Sequence, residues 1–217
     1  MFKEIIGSGK RRTLLHDATS EVLDMLGRVE QMYEAASKTL LDSELDGAAV
    51  VRSDKEINAG ERLVRKMIFE HLTLNPDHDL STSLALLSVV HDVERCGDYS
   101  KSLAEMGSWS GENVIPDVYK GDYTDLQGAI LPLFNLVDRA LKESDVELAR
   151  MVMREHEKIK ARSDELILAI MDENSKGGES VIFALALRFL RRISAHLSNV
   201  ASSIANPFDR IMGKENN

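Results

Sequence analysis

The sequence predicts an all-α protein of two tandem three-helix bundles, and three observations carry that reading. Apolar residues recur at helical spacing along most of the 217-residue chain. Only four prolines punctuate it. The second and third predicted helices then recur, in order, as the fifth and sixth. With 43% hydrophobic residues, the chain has enough apolar surface to bury a sizeable core in each bundle.

The first helix is expected from about Thr13 to Leu41, where Leu23, Leu26, Val29, Met32 and Ala36 share helical spacing. The second runs from about Asp46 to Leu72. The break "TLNPDHD" follows, leaving Asp79 as N-cap of a third helix that reaches about Met106. A stretch rich in Gly, Ser, Asn and Asp, "GSWSGENVIPDVYKGDY", reads as the boundary between bundles. Beyond it, helices are expected at about Tyr123 to Lys142, Asp145 to Asn174 and Glu179 to Ile204. The predicted units are residues 1–107 (first bundle), 108–122 (linker), 123–206 (second bundle) and 207–217 (a fraying tail).

The repeat is visible in the residues. At an offset of 102, "VVRSDKEI" lies over "VMREHEKI", matching Val50 with Val152, Arg52 with Arg154 and Ile57 with Ile159. At an offset of 97 the third helix matches the sixth, with Arg95 on Arg192 and Ala104 on Ala201. The difference of five residues falls in the intervening loop.

Charge narrows the function. Lys and Arg number 27 against 36 Asp and Glu, a formal charge of −9, which argues against nucleic acid as a main partner. Only "GKRR", Gly9 to Arg12, is locally basic, a run suited at most to an anionic membrane surface. One cysteine, Cys96, excludes an intrachain disulfide. The first residues lack an apolar run of signal-peptide length, so the expected location is cytoplasmic. The longest apolar run, "VIFALALRFL", is broken by Arg188 and too short to span a bilayer, leaving peripheral membrane association only.

Candidate chemistry concentrates on the third helix. Leu80, Leu84 and Leu87 form a stripe that continues through His91, Glu94 and Asp98, beside a packing face of Leu86, Val90, Val93 and Gly97. Carboxylates bordering a packed seam must be hydrated, paired or metal-bound, because burying an isolated charge is costly. On the second helix, Asp54 and Asn58 share a face and are placed to meet them. Such an oxygen-rich set with one imidazole suits Mg, Mn or Fe better than Zn. The competing reading is an acid face paired with Arg62, Arg65 and Arg95.

Other features are weaker. His196 reads as a surface or hydrogen-bonded histidine, and Ser194 cannot face it from two residues away on one helix. Cys96 reads as a small packed thiol. "GSGK" lacks the spacing of a phosphate-binding loop. Trp109 and Tyr119 are expected to anchor the interbundle loop.

"DKEIN" at Asp54 to Asn58, followed by "ERCGDYSKSLAEM" from Glu94 and by "RFLRRISAHLSNVASSI" in the sixth helix, resembles the PhoU family of phosphate-uptake regulators over nearly the whole chain. The resemblance implies a PhoU-like six-helix architecture, with an acidic ExxxD motif in each repeat that binds multinuclear metal clusters. It also implies a cytoplasmic adaptor, not an enzyme, acting between a phosphate-specific ABC transporter and a sensor histidine kinase to restrain phosphate uptake and phosphate-regulon signalling.

Residue by residue, Glu94 and Asp98 match the acidic pair, and Asp54 and Asn58 match the facing positions. In the second repeat the corresponding residues are Arg191 and Ala195, with His156 and Lys160 opposite. A divalent or trivalent metal (Fe, Mn, Mg or Zn) is therefore expected in the first bundle only, held by Asp54, Asn58, His91, Glu94 and Asp98. The basic second face, with Arg188, Arg191 and Arg192, is instead suited to an anion. The alternative is a carboxylate-bridged di-metal redox or storage protein, which would carry inward Glu-x-x-His pairs. No such pair occurs, and His91 with Glu94 gives the reverse order once. A homo-oligomer is compatible with all of this.

Overall fold

The computed structural model describes residues 14–42, 48–107, 114–172 and 178–206. The basic run Gly9 to Arg12, Trp109, the expected start of the second helix at Asp46 and the tail 207–217 lie outside them. Six α-helices follow in order: α1 (Leu14–Thr39), α2 (Ala48–Leu74), α3 (Leu80–Gly107), α4 (Lys120–Glu143), α5 (Val146–Asp172) and α6 (Gly178–Ala205). A single 3-10 turn, Asp117–Tyr119, leads into α4, which begins three residues before the expected Tyr123. No strand occurs among the described residues.

The helices form two tandem three-helix bundles, α1–α3 and α4–α6, joined where α3 packs on α6 and α1 on α4. Local chemistry sets the ends. Asp145 Oδ1 accepts the backbone N–H groups of Glu147 (2.8 Å) and Leu148 (3.0 Å), capping α5. Ser144 closes α4 in the left-handed region at φ 51°. Asp79 precedes α3 at φ 57°, with its carbonyl accepting the Ser83 N–H and its carboxylate 3.5 Å from His71 Nε2. Pro132 lies inside α4, but the residue four earlier is the exposed Gly128, so water can serve the carbonyl that the ring frees.

The repeat is structural. Val50 and Val152 are both buried, as are Ile57 and Ile159, and Ala104 and Ala201. Each fully buried aliphatic side chain contributes roughly 1.5–3 kcal/mol. Close approach of α1 to α2 depends on Gly60, where a Cβ would lie 2.8 Å from Met25 Cγ and Sδ. Between bundles, Tyr33 Oη donates to the Gln127 carbonyl (2.9 Å) and Tyr123 Oη to the Ser37 carbonyl (2.8 Å). Tyr119 stacks on Phe183, centroids 4.4 Å apart, anchoring the approach to α4 as expected.

The stripe on α3 differs from expectation at its start. Leu80 and Leu84 are exposed, because the sector of α3 clasped between α1 and α6 is that of Ala85, Leu86, Val89, Val90, Val93 and Cys96. His91, Glu94 and Asp98 border this sector, on the side that meets α2. Cys96 is fully buried, and its thiol points to the Ile193 carbonyl at 3.6 Å.

Candidate metal centre

The antiparallel pair α2 and α3 creates the site. Glu61 on α2 and His91 and Glu94 on α3 each present one ligand atom, all within 4.8 Å of one another. His91 Nδ1 lies 3.6 Å from Glu61 Oε1 and 4.0 Å from Glu94 Oε2. His91 is nearly half exposed, while the two carboxylates are largely covered. The cluster therefore sits at a rim, with one imidazole open to solvent and two oxygens turned inward.

Glu94 is the most perturbed member. Its residue is only 8% exposed, and Oε2 is buried without a hydrogen-bond partner. Its carboxyl is pushed up to about 7, first by burial and then by the negative charge of Asp98, with Arg95 pulling the other way and Glu61 and Asp54 adding to the rise. A buried carboxylate oxygen with no hydrogen bond, only an ion pair to Arg95 Nε at 3.5 Å, among further acids, is an environment that a multivalent cation would relieve.

Not every expected ligand joins this set. Asp54 is buried and close enough for its charge to act on Glu94, but its Oδ2 accepts from Lys101 Nζ at 3.0 Å. That hydrogen bond holds the Lys101 ammonium above its usual range. Asp98 Oδ2 accepts from Arg95 at 2.8 Å. Asn58 turns its Nδ2 back onto the Asp54 carbonyl at 3.0 Å.

Glu61 was not singled out in the sequence. It continues the Asp54–Asn58 face after one more step of three, and that spacing was the available signal. It also accepts from Arg65 at 2.7 Å on its own helix, so with Arg95 on Asp98 two of the three arginines of the competing reading pair as expected. The donor set of two carboxylates and an imidazole, with one buried oxygen unsatisfied, fits a hard or borderline cation.

Comparison with known proteins decides the family. The PhoU domain model matches twice, over residues 22–107 and 125–204. The chain belongs to the PhoU family. It is 26% identical over 192 residues to the phosphate-specific transport system accessory protein PhoU homolog of Deinococcus radiodurans, covering 84% of this chain and 88% of that one. It is 24% identical to PhoU homolog 2 of Mycobacterium tuberculosis over 203 residues, covering 89% and 95% of the two chains. PhoU from Pseudomonas aeruginosa shares the fold with a TM-score of 0.80 at 23% identity, over 93% of this chain and 98% of that one. The phosphate transport system regulatory protein PhoU from Streptococcus pneumoniae superimposes with a TM-score of 0.77 at 18% identity, over 94% and 97%.

Within this PhoU chain, the second repeat builds different chemistry. His156, the counterpart of Asp54, is also buried, and its Nδ1 lies 2.9 Å from Ser194 Oγ, which donates to the Arg191 carbonyl. Burial holds His156 below its usual range, and Lys160 and Arg191 push the same way against Glu157. Arg191, the counterpart of Glu94, is bonded to Asp164, and Lys160 to Glu157 at 3.1 Å. Among the described residues, the only three-ligand His/carboxylate group is the one in the first bundle.

Proposed function

We propose that this protein is a non-enzymatic cytoplasmic regulator of phosphate uptake, acting on a phosphate-specific ABC transporter and relaying its state to a sensor histidine kinase. The observation that carries this reading is the double PhoU match over both bundles. The relatives, accessory and regulatory proteins of phosphate transport, support the same direction. Among the described residues no helix is long and apolar enough to cross a membrane, which is compatible with contact through a membrane-bound partner.

In this reading the first bundle holds a metal ion through Glu61, His91 and Glu94, with Asp54 and Asp98 as neighbouring carboxylates. Bound metal would supply positive charge that joins α2 to α3 and stiffens the face they share. Glu94 would contribute the buried oxygen, and His91, on the open rim, an imidazole nitrogen. The supporting observation is the unsatisfied Glu94 Oε2 facing two further ligand groups.

The test is phosphate uptake and phosphate-regulon expression in cells lacking the protein, with and without its restoration. Restoration should lower both in phosphate-replete medium. Unchanged uptake and expression would overturn the regulatory role.

A further inference from the structure

The first-bundle acids carry an internal answer to their own charge. Lys101 Nζ reaches from α3 to Asp54 Oδ2 on α2 at 3.0 Å, and Arg95 spans Asp98 (2.8 Å) and Glu94 (3.5 Å). Lys101 keeps about a third of its side chain exposed, whereas the Asp54 side chain is 9% exposed. The cation can therefore leave for water, and the carboxylate cannot. A lysine is a flexible point charge on a four-carbon stem, suited to such exchange.

We propose that Lys101 is a tethered counter-cation that competes with metal for the acidic cluster: it neutralises Asp54 in the metal-free protein and withdraws when a multivalent cation enters. The inference rests on the metal reading above. It assigns Lys101 as the residue that sets affinity, and it makes cation binding free an ammonium at the α2–α3 surface. Arg95 is the poorer candidate for this exchange, because it already bonds a neighbour one turn away on its own helix. In the second bundle the position equivalent to Lys101 is Ser198, and the position equivalent to Asp54 is His156. The lysine and the acid are thus present together in one repeat and absent together from the other.

The experiment is Mn2+ binding by titration calorimetry, with thermal unfolding of metal-free protein as the second readout. Lys101→Met keeps the stem and removes the charge; Lys101→Arg keeps the charge. Lys101 neutralises Asp54, whose charge acts on Glu94, so removing the ammonium in Lys101→Met should tighten Mn2+ binding about tenfold. Without metal the same variant should unfold at lower temperature than wild type, because Asp54 loses its partner, and Mn2+ should abolish that deficit. Lys101→Arg should bind no more tightly than wild type. Equal Mn2+ affinity in wild type and folded Lys101→Met would overturn the proposal while leaving the metal site standing. If neither wild type nor Lys101→Met binds Mn2+, and Lys101→Met stays destabilised at every Mn2+ concentration, both the proposal and the metal reading fall.

Discussion

Tyr99 on α3 and His196 on α6 stack with ring centroids 5.6 Å apart, and they are equivalent residues of the two repeats, 97 positions apart. Cys96 and Ile193 meet in the same way with the same separation. Equivalent residues of two related bundles touch only where the relating axis passes, so the α3–α6 seam lies on it. That seam is polar at one point: Asp92, 3% exposed, accepts from Asn199 Nδ2 at 3.0 Å and lies 2.8 Å from His196 Nδ1. Asp92→Ala would strand both donors in a covered site. It should cost about 2–4 kcal/mol, read as a lower urea midpoint.

His196 also gives the seam a pH dependence. Burial, then the nearby charges of Arg192 and Arg95, hold it down at about 4. As pH falls, an unfolded chain with an ordinary histidine takes up the proton first. The contribution is therefore complete above about pH 6.5 and is lost as pH falls towards about 4, on the order of 3 kcal/mol in all. His196→Asn, which keeps a donor for Asp92, should show a flatter decline over this window than wild type. Parallel stability curves for the two proteins would contradict this.

Metal retention should separate the bundles. Glu94→Ala with Asp98→Ala should abolish it, and Glu61→Ala should weaken it strongly, whereas Arg191→Ala and His156→Ala should leave it unchanged. Metal analysis of the purified variants is the measurement. Retention lost in the Arg191 or His156 variant would move the site to the wrong half of the chain.

Metal removal should lower stability by mass action. At a free metal concentration 100-fold above the dissociation constant, binding adds about 2.7 kcal/mol. For a domain of this size that is several degrees in Tm. Chelation of metal-loaded wild type should lower Tm by that amount, and chelation of the Glu94→Ala, Asp98→Ala protein should change nothing.

Much of the fold was legible because amphipathic helices announce themselves by period. The repeat was legible because Val50, Ile57 and Ala104 recur as buried Val152, Ile159 and Ala201. The site was legible only in part. Spacing on α3 selected His91, Glu94 and Asp98, but which carboxylates converge depends on the register of α2 against α3, and no single-helix period contains that. Glu61 enters the cluster through that register, and Lys101 and Arg95 claim Asp54 and Asp98 by reaches set in three dimensions. The exposure of Leu80 and Leu84 has the same origin, since which sector of α3 is covered depends on where α1 and α6 lie.

Cell fractionation addresses the partner. Membrane recovery of the protein should fall when the phosphate transporter is absent. Equal recovery with and without the transporter would point to direct lipid contact or another partner.

In the proposed reading the first bundle alone holds metal, between α2 and α3. Anomalous diffraction from crystals of the Mn2+-loaded protein tests it most directly. A manganese peak is expected among Glu61, His91 and Glu94 and none between His156 and Arg191. A peak in the second bundle, or none beside Glu94, would contradict it.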